Sequence, residues 1–139
     1  MRTSEDIETF LIKAGLAFQV LKPGVWAIQT ENIGESLLIS VAGPILAFRL
    51  RLMDLPPTGR EDLYRRLLTW NTTDLVHGAF GLEGEAVVLV HALELENLDL
   101  NEVQAVIDDM SMAVARFYPQ LAGLRPHHDG SGAGARPRV

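Results

Sequence analysis

The chain of 139 residues contains no cysteine, which excludes disulfide bonds and thiolate metal ligands. It has no apolar stretch of the ~20 residues that a membrane-spanning helix needs. Its first residues, MRTSEDIETF, lack the apolar run of a signal peptide. Aromatic residues make up only 6% of a chain that is 47% hydrophobic, which indicates an aliphatic core and argues against a disordered adaptor. We therefore expect one cytoplasmic domain that folds without covalent cross-links.

Positive charge is scarce. The net charge of the chain is −6, although residues 125–139 are basic, with three arginines against Asp129. Residues 1–124 therefore form an acidic domain, which would repel phosphate backbones. The composition predicts no direct binding of nucleic acid and no attachment to a membrane. Residues 125–139, rich in glycine, proline and histidine, have no apolar periodicity and are predicted to form a flexible tail.

The sequence contains none of the short patterns that identify a catalytic or phosphate-binding site. There is no GxSxG, no phosphate-binding glycine loop and no HExxH, and no serine has a base at a diagnostic spacing. His127 and His128 lie in the glycine-rich tail, where nothing would fix a ligand geometry. We predict a non-enzymatic protein without cofactor or metal. The alternative is a small enzyme or ligand-binding domain with a pocket near His77 or His91.

Two helices are predicted in the first half of the chain from the spacing of apolar residues. The first begins at Thr3 or Ser4, with acidic residues in its first turn, where the helix dipole favours them. The second follows a capping box in which Thr58 is matched with Glu61 three residues later. The segment NTTD, residues 71–74, is expected to end this second helix.

A third helix is predicted near the end of the domain. Asp99 and Glu102 have the spacing of a capping box at its start, and apolar residues then recur for four turns. Pro119 is expected to end the helix, because proline has no backbone N–H to donate. Asp108 and Asp109 fall on its polar side, which predicts that both carboxylates are solvated.

Strands are predicted wherever apolar and polar residues alternate. Residues 36–41 and 45–53 are either two strands of a hairpin or one bent strand interrupted at Gly43-Pro44, and we favour the hairpin. The order of elements is α-β-β-β-α-β-β-α. It predicts an α+β fold with a five-stranded antiparallel sheet and three helices, because consecutive strands pair without crossovers.

The segment HGAFGLEGEAVVLVH, residues 77–91, is a hairpin with a histidine at each end. A two-residue loop at Glu83-Gly84 would collect the large apolar residues on one face, and His77 and His91 would then project from opposite faces. A three-residue loop would make the two histidines face each other but would split the large residues between both faces. Burial of apolar area favours the first arrangement. It predicts a structural hairpin without a histidine site.

The order of elements, together with the segment NTTDLVHGAFGLEGEAVVLVHALELENLD (71–99), resembles the YbjN-like family, which shares its fold with the class I type III secretion chaperones. The resemblance covers most of residues 5–118 and contains no catalytic residue. It implies a single domain over residues 1–124 that forms a small acidic homodimer and binds another protein or an extended peptide segment. A chaperone, adaptor or regulatory, stress-related partner-binding role is implied. The tail lies outside the resemblance.

The predicted partner and dimer surface combines residue chemistry with this family analogy. Aromatic and arginine side chains are enriched in protein interfaces, and the analogy directs the dimer contact to the second helix and the adjoining hairpin. The residues of this predicted surface are Leu63, Tyr64, Leu67, Trp70, Phe80, Arg49 and Arg51.

Overall fold

A computed structural model describes residues 1–29 and 36–124 of the chain, so the predicted tail lies outside the described residues. The structure has the predicted α+β class. Its elements are α1 (Ser4–Lys13), β1 (Phe18–Lys22), β2 (Val25–Gln29), β3 (Ser36–Ala42), β4 (Ile45–Asp54), α2 (Arg60–Thr73), β5 (Ala79–Glu83), β6 (Ala86–Glu94) and α3 (Leu100–Ala122).

Within the described ranges, six strands form one antiparallel sheet in the order β1-β2-β3-β4-β6-β5. The predicted count of five is therefore too low by one. The favoured hairpin accounts for the difference, because Gly43 and Pro44 form the turn and Ala42 pairs with Ile45. Both apolar runs on either side of this turn are thus separate strands. The long central pair, β4 with β6, joins the first four strands to the hairpin of β5 and β6, which we call the second hairpin.

The core lies on one face of the sheet, where alternate strand residues meet the three helices. In β4, for example, Leu46, Phe48 and Leu50 are at most 1% exposed, whereas the residues between them are half-buried. This alternation is the pattern of a sheet that is covered on one side. The largest fully buried side chains are Trp26, Phe48, Ile7, Leu11, Leu37, Ile39, Leu46, Leu50, Leu63, Leu89, Leu95 and Leu98.

Two of the three predicted helix starts are confirmed by their caps. Thr3 and Asp6 form a capping box at α1, and Asp99 and Glu102 form another at α3. The box predicted from Thr58 is wrong. Helix α2 has Gly59 as its N-cap, in the left-handed conformation with φ +72°, and no side-chain hydrogen bond caps it. A short polar pattern thus predicted a helix start to within two residues but not its cap.

Two predicted helix ends are also corrected. Helix α2 continues through Thr73 before it ends at Asp74, so most of the NTTD segment is helical. Helix α3 continues past Pro119 to Ala122. Leu121, in this last turn, is fully buried in the core. We infer that burial of this side chain offsets the hydrogen bond that the proline cannot donate.

Candidate partner-binding surfaces

The predicted partner surface divides into buried and exposed side chains. Leu63, Leu67 and Phe80 are 0%, 4% and 6% exposed. Their side chains fill the core of the chain itself and are therefore not exposed to a partner. Tyr64 and Trp70 are half-buried.

Trp70 joins α2 to both β5 and α3. Its ring lies 4.5 Å from that of Phe117 and 5.8 Å from that of Phe80, measured between centroids. The rings of Phe80 and Phe117 are also in edge-to-face contact at 5.8 Å. Such aromatic clusters add to the stabilisation from area burial. The aromatic side chains that suggested an interface therefore serve, in large part, to pack α2 and α3 onto the second hairpin.

Asn71 closes part of the outer edge of β5. Its side-chain oxygen accepts a hydrogen bond from the backbone N–H of Phe80 at 2.7 Å, and its amide donates to the carbonyl of Phe80 at 3.0 Å. Because β5 is the last strand of the sheet, these backbone groups would otherwise face solvent or another chain. The sequence indicated Asn71 only as part of a helix end, since its partner lies in a different element.

The outer surface of α2 offers an open groove of about 590 Å³. Leu68 is the large apolar side chain in it and is 65% exposed. The other lining residues are Glu61, Tyr64, Arg65, Thr69, Thr72 and Thr73. In the chain that follows α2, Val76 before β5 and Leu82 within β5 are 84% and 49% exposed. The second helix and the adjoining hairpin therefore carry exposed apolar side chains. These are Leu68, Val76 and Leu82, which were not in the predicted set.

Arg49 and Arg51 lie on the face of the sheet that no described helix covers, as the alternation of β4 requires. Each is paired within the chain, Arg49 with Glu83 and Arg51 with Asp54. Their side chains remain about two fifths exposed, at 41% and 40%. The two arginines are therefore neutralised locally and do not form a free basic patch.

Strand β1 forms the other edge of the sheet and is more exposed than the other described strands. Four of its five residues are exposed, and Val20 and Leu21 are each 50% accessible. Among the described residues, no strand pairs with its outer side. Near it in sequence, Ile12 at the end of α1 is 61% exposed. An exposed edge with apolar side chains is a template for strand addition.

The two histidines of the second hairpin are in contact, contrary to prediction. Their ring centroids lie 5.4 Å apart in an edge-on arrangement. The loop does contain two residues, but these are Gly84 and Glu85, with Glu83 paired to Ala86. The strand β5 begins only at Ala79, and Gly78 has φ +92°. The alternation of a strand therefore does not extend to His77, whose ring turns back toward His91.

Each histidine has a hydrogen-bonding partner. Nδ1 of His91 accepts the backbone N–H of Gly78 at 3.0 Å, and Nδ1 of His77 contacts a carboxylate oxygen of Asp109. Burial, with a smaller contribution from His77, lowers the pKa of His91 below its ordinary value of 6.5. Asp109 is thus tied to His77, whereas the sequence predicts that both carboxylates at 108 and 109 are solvated.

A cleft of about 240 Å³ lies between the segment of residues 74–78 and α3. Phe117, Ala113 and Leu75 contribute apolar walls. The His77–Asp109 contact and the Arg116–Asp74 ion pair span the two sides. In the part of the chain that the structure describes, no group of three or more histidine, aspartate or glutamate side chains could hold a metal ion. Nor is any helix there long and apolar enough to span a bilayer.

A family model, CesT_Tir_1, which represents type III secretion chaperones, matches residues 1–126. The chain belongs to this family. Because its members are non-enzymatic secretion chaperones, the prediction that the chain is not an enzyme is confirmed. No curated protein has a significantly similar sequence.

Solved structures show the same fold at low sequence identity. The heterodimeric complex ExoU-SpcU from the type III secretion system of Pseudomonas aeruginosa contains a chain with a TM-score of 0.65 and 17% identity, covering 81% of this chain and 95% of that one. YbjN from E. coli has a TM-score of 0.64 and 10% identity, with coverages of 86% and 93%. These matches confirm the predicted YbjN-like and secretion-chaperone-like fold.

A third structure is the Yersinia pestis type III secretion chaperone SycH in complex with a fragment of YscM2. Its TM-score is 0.58 at 16% identity, and the match covers 81% of this chain and 96% of that one. Each of the three matches therefore covers more than nine tenths of the solved chain.

Proposed function

We propose that the chain is a homodimeric chaperone that binds an extended segment of a partner protein along the open edge of β1. The observation that carries this proposal is the exposure of β1, with Val20 and Leu21 half accessible and no described strand on its outer side. An added strand gains main-chain hydrogen bonds from the edge and contacts for alternate side chains. Membership of a chaperone family supports a protein as the ligand.

We propose that the dimer forms through the outer surface of α2 and the adjoining hairpin. Leu68 on α2 and Leu82 on β5 are large apolar side chains left exposed by the packing of the monomer. Tyr64 and Trp70 lie half-buried in the same helix. Arg49 and Arg51, paired on the helix-free face, are expected to lie at the margin of this contact rather than at its centre. A stable contact of this kind would bury more than ~1,000 Å² in total.

Capture from cells of the source organism tests the peptide-binding edge. The wild type, Leu21→Lys on β1 and Met112→Lys on α3 are each used as bait, and the captured proteins are identified by mass spectrometry. Met112 is the matched control because it is 68% exposed on another element. We expect a partner that is retained by the wild type and by Met112→Lys but lost with Leu21→Lys. A partner retained equally by all three baits would contradict binding at β1.

Sedimentation analysis tests the dimer. The wild type should sediment with twice the 15.3 kDa mass of the chain. Leu68→Lys should sediment as a monomer, because a charge in a desolvated contact is costly, whereas Val20→Lys should remain dimeric. A monomeric wild type would contradict the homodimer, and a dimeric Leu68→Lys would exclude this surface as the contact.

A regulatory or stress-related role is compatible with the same partner-binding surface. The identity of the captured protein decides between chaperone and regulator. A cargo protein bound through an unfolded segment indicates a chaperone, whereas a folded transcription or signalling protein indicates a regulator.

A further inference from the structure

The segment of residues 74–78, which connects α2 to β5, is held in place by three side-chain contacts with other elements. Asp74 forms an ion pair with Arg116 at 2.8 Å and His77 contacts Asp109, so that both contacts reach α3. The third contact is the hydrogen bond from the Gly78 N–H to Nδ1 of His91 on β6. Two of these three contacts contain a histidine, the side chain whose charge changes near neutral pH.

The hydrogen bond between Gly78 and His91 requires a neutral imidazole. Nδ1 of His91 can accept the backbone N–H only while it carries no proton. Protonation would convert this acceptor into a donor and would direct two N–H groups at each other. The backbone donor of Gly78 would then lose its partner in a half-buried position, and such an unsatisfied donor is unfavourable.

Local backbone geometry makes this bond specific to Gly78. The residue has φ +92°, and a Cβ at this position would approach Cδ1 of Leu89 to 3.4 Å. Glycine therefore allows the chain to turn sharply before β5 and brings its N–H to the imidazole. The same turn brings His77 to the edge of the His91 ring.

Among the described residues, the shown contacts of the His91 imidazole are Gly78, His77 and Phe48. From the segment 74–78, His77 lies against the His91 ring. The charged groups of α3 contact this segment, Asp109 at His77 and Arg116 at Asp74. From β4, the residue that faces His91 is Phe48, which is uncharged and whose ring lies 6.5 Å away. Asp109 is already paired with His77, so His91 has no carboxylate of its own among the contacts that the structure shows.

We propose that the hydrogen bond from Gly78 to His91 is a proton-operated latch, which ties the β5 end of the segment 74–78 to β6 at neutral pH and opens when His91 is protonated. The depressed pKa of His91 agrees with this arrangement, since burial and His77 both disfavour the charged ring. The release would loosen the connection between α2 and β5 without unfolding the domain. The latch does not depend on which partner the protein binds.

Amide hydrogen exchange at two neighbouring residues tests the latch directly. The Phe80 N–H is bonded to the side chain of Asn71, which does not titrate, and therefore serves as an internal reference for the Gly78 N–H. Exchange is followed by NMR in the full chain between about pH 7.5 and about pH 5, and is corrected for intrinsic rates. We expect the protection of Gly78 relative to Phe80 to fall about tenfold in the wild type.

The variant His91→Asn removes the titration but keeps an acceptor, because the side-chain oxygen of asparagine lies close to where Nδ1 of histidine lies. We expect the relative protection of Gly78 to be independent of pH in this variant. His128→Asn, in the tail, is the matched control and should behave as the wild type. A constant ratio in the wild type, or an equal fall in His91→Asn, would overturn the proposal.

Two further measurements distinguish titration of His91 from titration of His77. If the pH dependence disappears in His77→Asn but persists in His91→Asn, the responsible group is His77 and the proposed latch is wrong. In the wild type, the imidazole protons of His91 and the amide proton of Gly78 should shift with a common midpoint below pH 6.5. Different midpoints would overturn the proposal even if a variant failed to fold.

Discussion

The two edge strands of the sheet, β5 and β1, differ in whether other parts of the chain cover and bond their outer side. At β5, the side chain of Asn71 bonds both backbone groups of Phe80, and Trp70 and Phe117 cover the Phe80 ring. At β1, four of five residues are exposed and no described strand or side chain bonds the outer edge in this way. An edge that is closed by a helix belongs to the fold, whereas an open apolar edge is available to another chain. The difference supports β1 as the site of strand addition.

The largest expected effect is at the closed edge. Phe80→Ala should lower the free energy of unfolding by about 3–5 kcal/mol, because it empties the space between Trp70 and Phe117. The measurement is chemical denaturation, and Met112→Ala, at a side chain that is 68% exposed on α3, is the control. Similar losses in both variants would show that β5 is not anchored by the aromatic cluster.

Removal of the Asn71 side chain should have the next largest effect. Asn71→Ala leaves the N–H and C=O of Phe80 without their partners, and we expect a loss of about 1–3 kcal/mol by chemical denaturation. Asn71→Asp keeps the acceptor for the N–H but loses the donor, so its loss should be smaller. Ser111→Ala, at an exposed position of α3, should be nearly neutral. If Asn71→Ala is also neutral, the two edges do not differ in the way described.

Acidification should lower the stability of the folded chain through His91, which lies next to the closed edge strand β5. Because the pKa of His91 is lowered in the folded state, the unfolded chain binds the proton more tightly, and this contribution to stability is fully present above pH 6.5. It is lost as the pH falls from 6.5 through the lower pKa of the folded protein. The melting temperature should fall over this window, and His91→Asn should reduce the fall. An identical pH profile in both proteins would contradict this assignment.

The smallest effect on stability is expected at the open edge. Val20→Lys, at a side chain that is 50% exposed, should change the free energy of unfolding by no more than about 0.5 kcal/mol. Chemical denaturation beside the wild type measures this change. A loss as large as that of Asn71→Ala would mean that β1 is part of the structural core, and the proposal that it is free to receive a partner would fail.

Local patterns in the sequence predicted much of the fold. The helix start at Thr3 or Ser4 and the capping box of Asp99 and Glu102 could be predicted because the residues that form each cap lie within four positions of one another. The alternation of apolar and polar residues predicted a strand at β4, and the structure places Arg49 and Arg51 on the face opposite the core. Gly43 and Pro44 were recognised as a turn, although the strand that this turn adds was not counted.

The candidate surfaces could be predicted only in part. Tyr64 and Trp70 were placed correctly on α2, but aromatic residues are common both in cores and in interfaces. Trp70 serves largely to pack the chain. A helical stripe also does not show how far it is covered, so Leu63 and Leu67 were predicted as partner contacts although they are buried. The exposed edge of β1 was missed because the order of strands depends on pairings between distant segments.

The sequence by itself determined the class of the fold, the alternating faces of the strands and two of the helix starts, because these depend on neighbours within a few residues. Only the tertiary structure decided that Asn71 bonds Phe80, that His77 meets both His91 and Asp109, and that β1 remains an open edge. Each of these features joins elements that lie far apart in the chain. Their geometry follows from how the sheet and helices pack, which no local spacing of residues encodes.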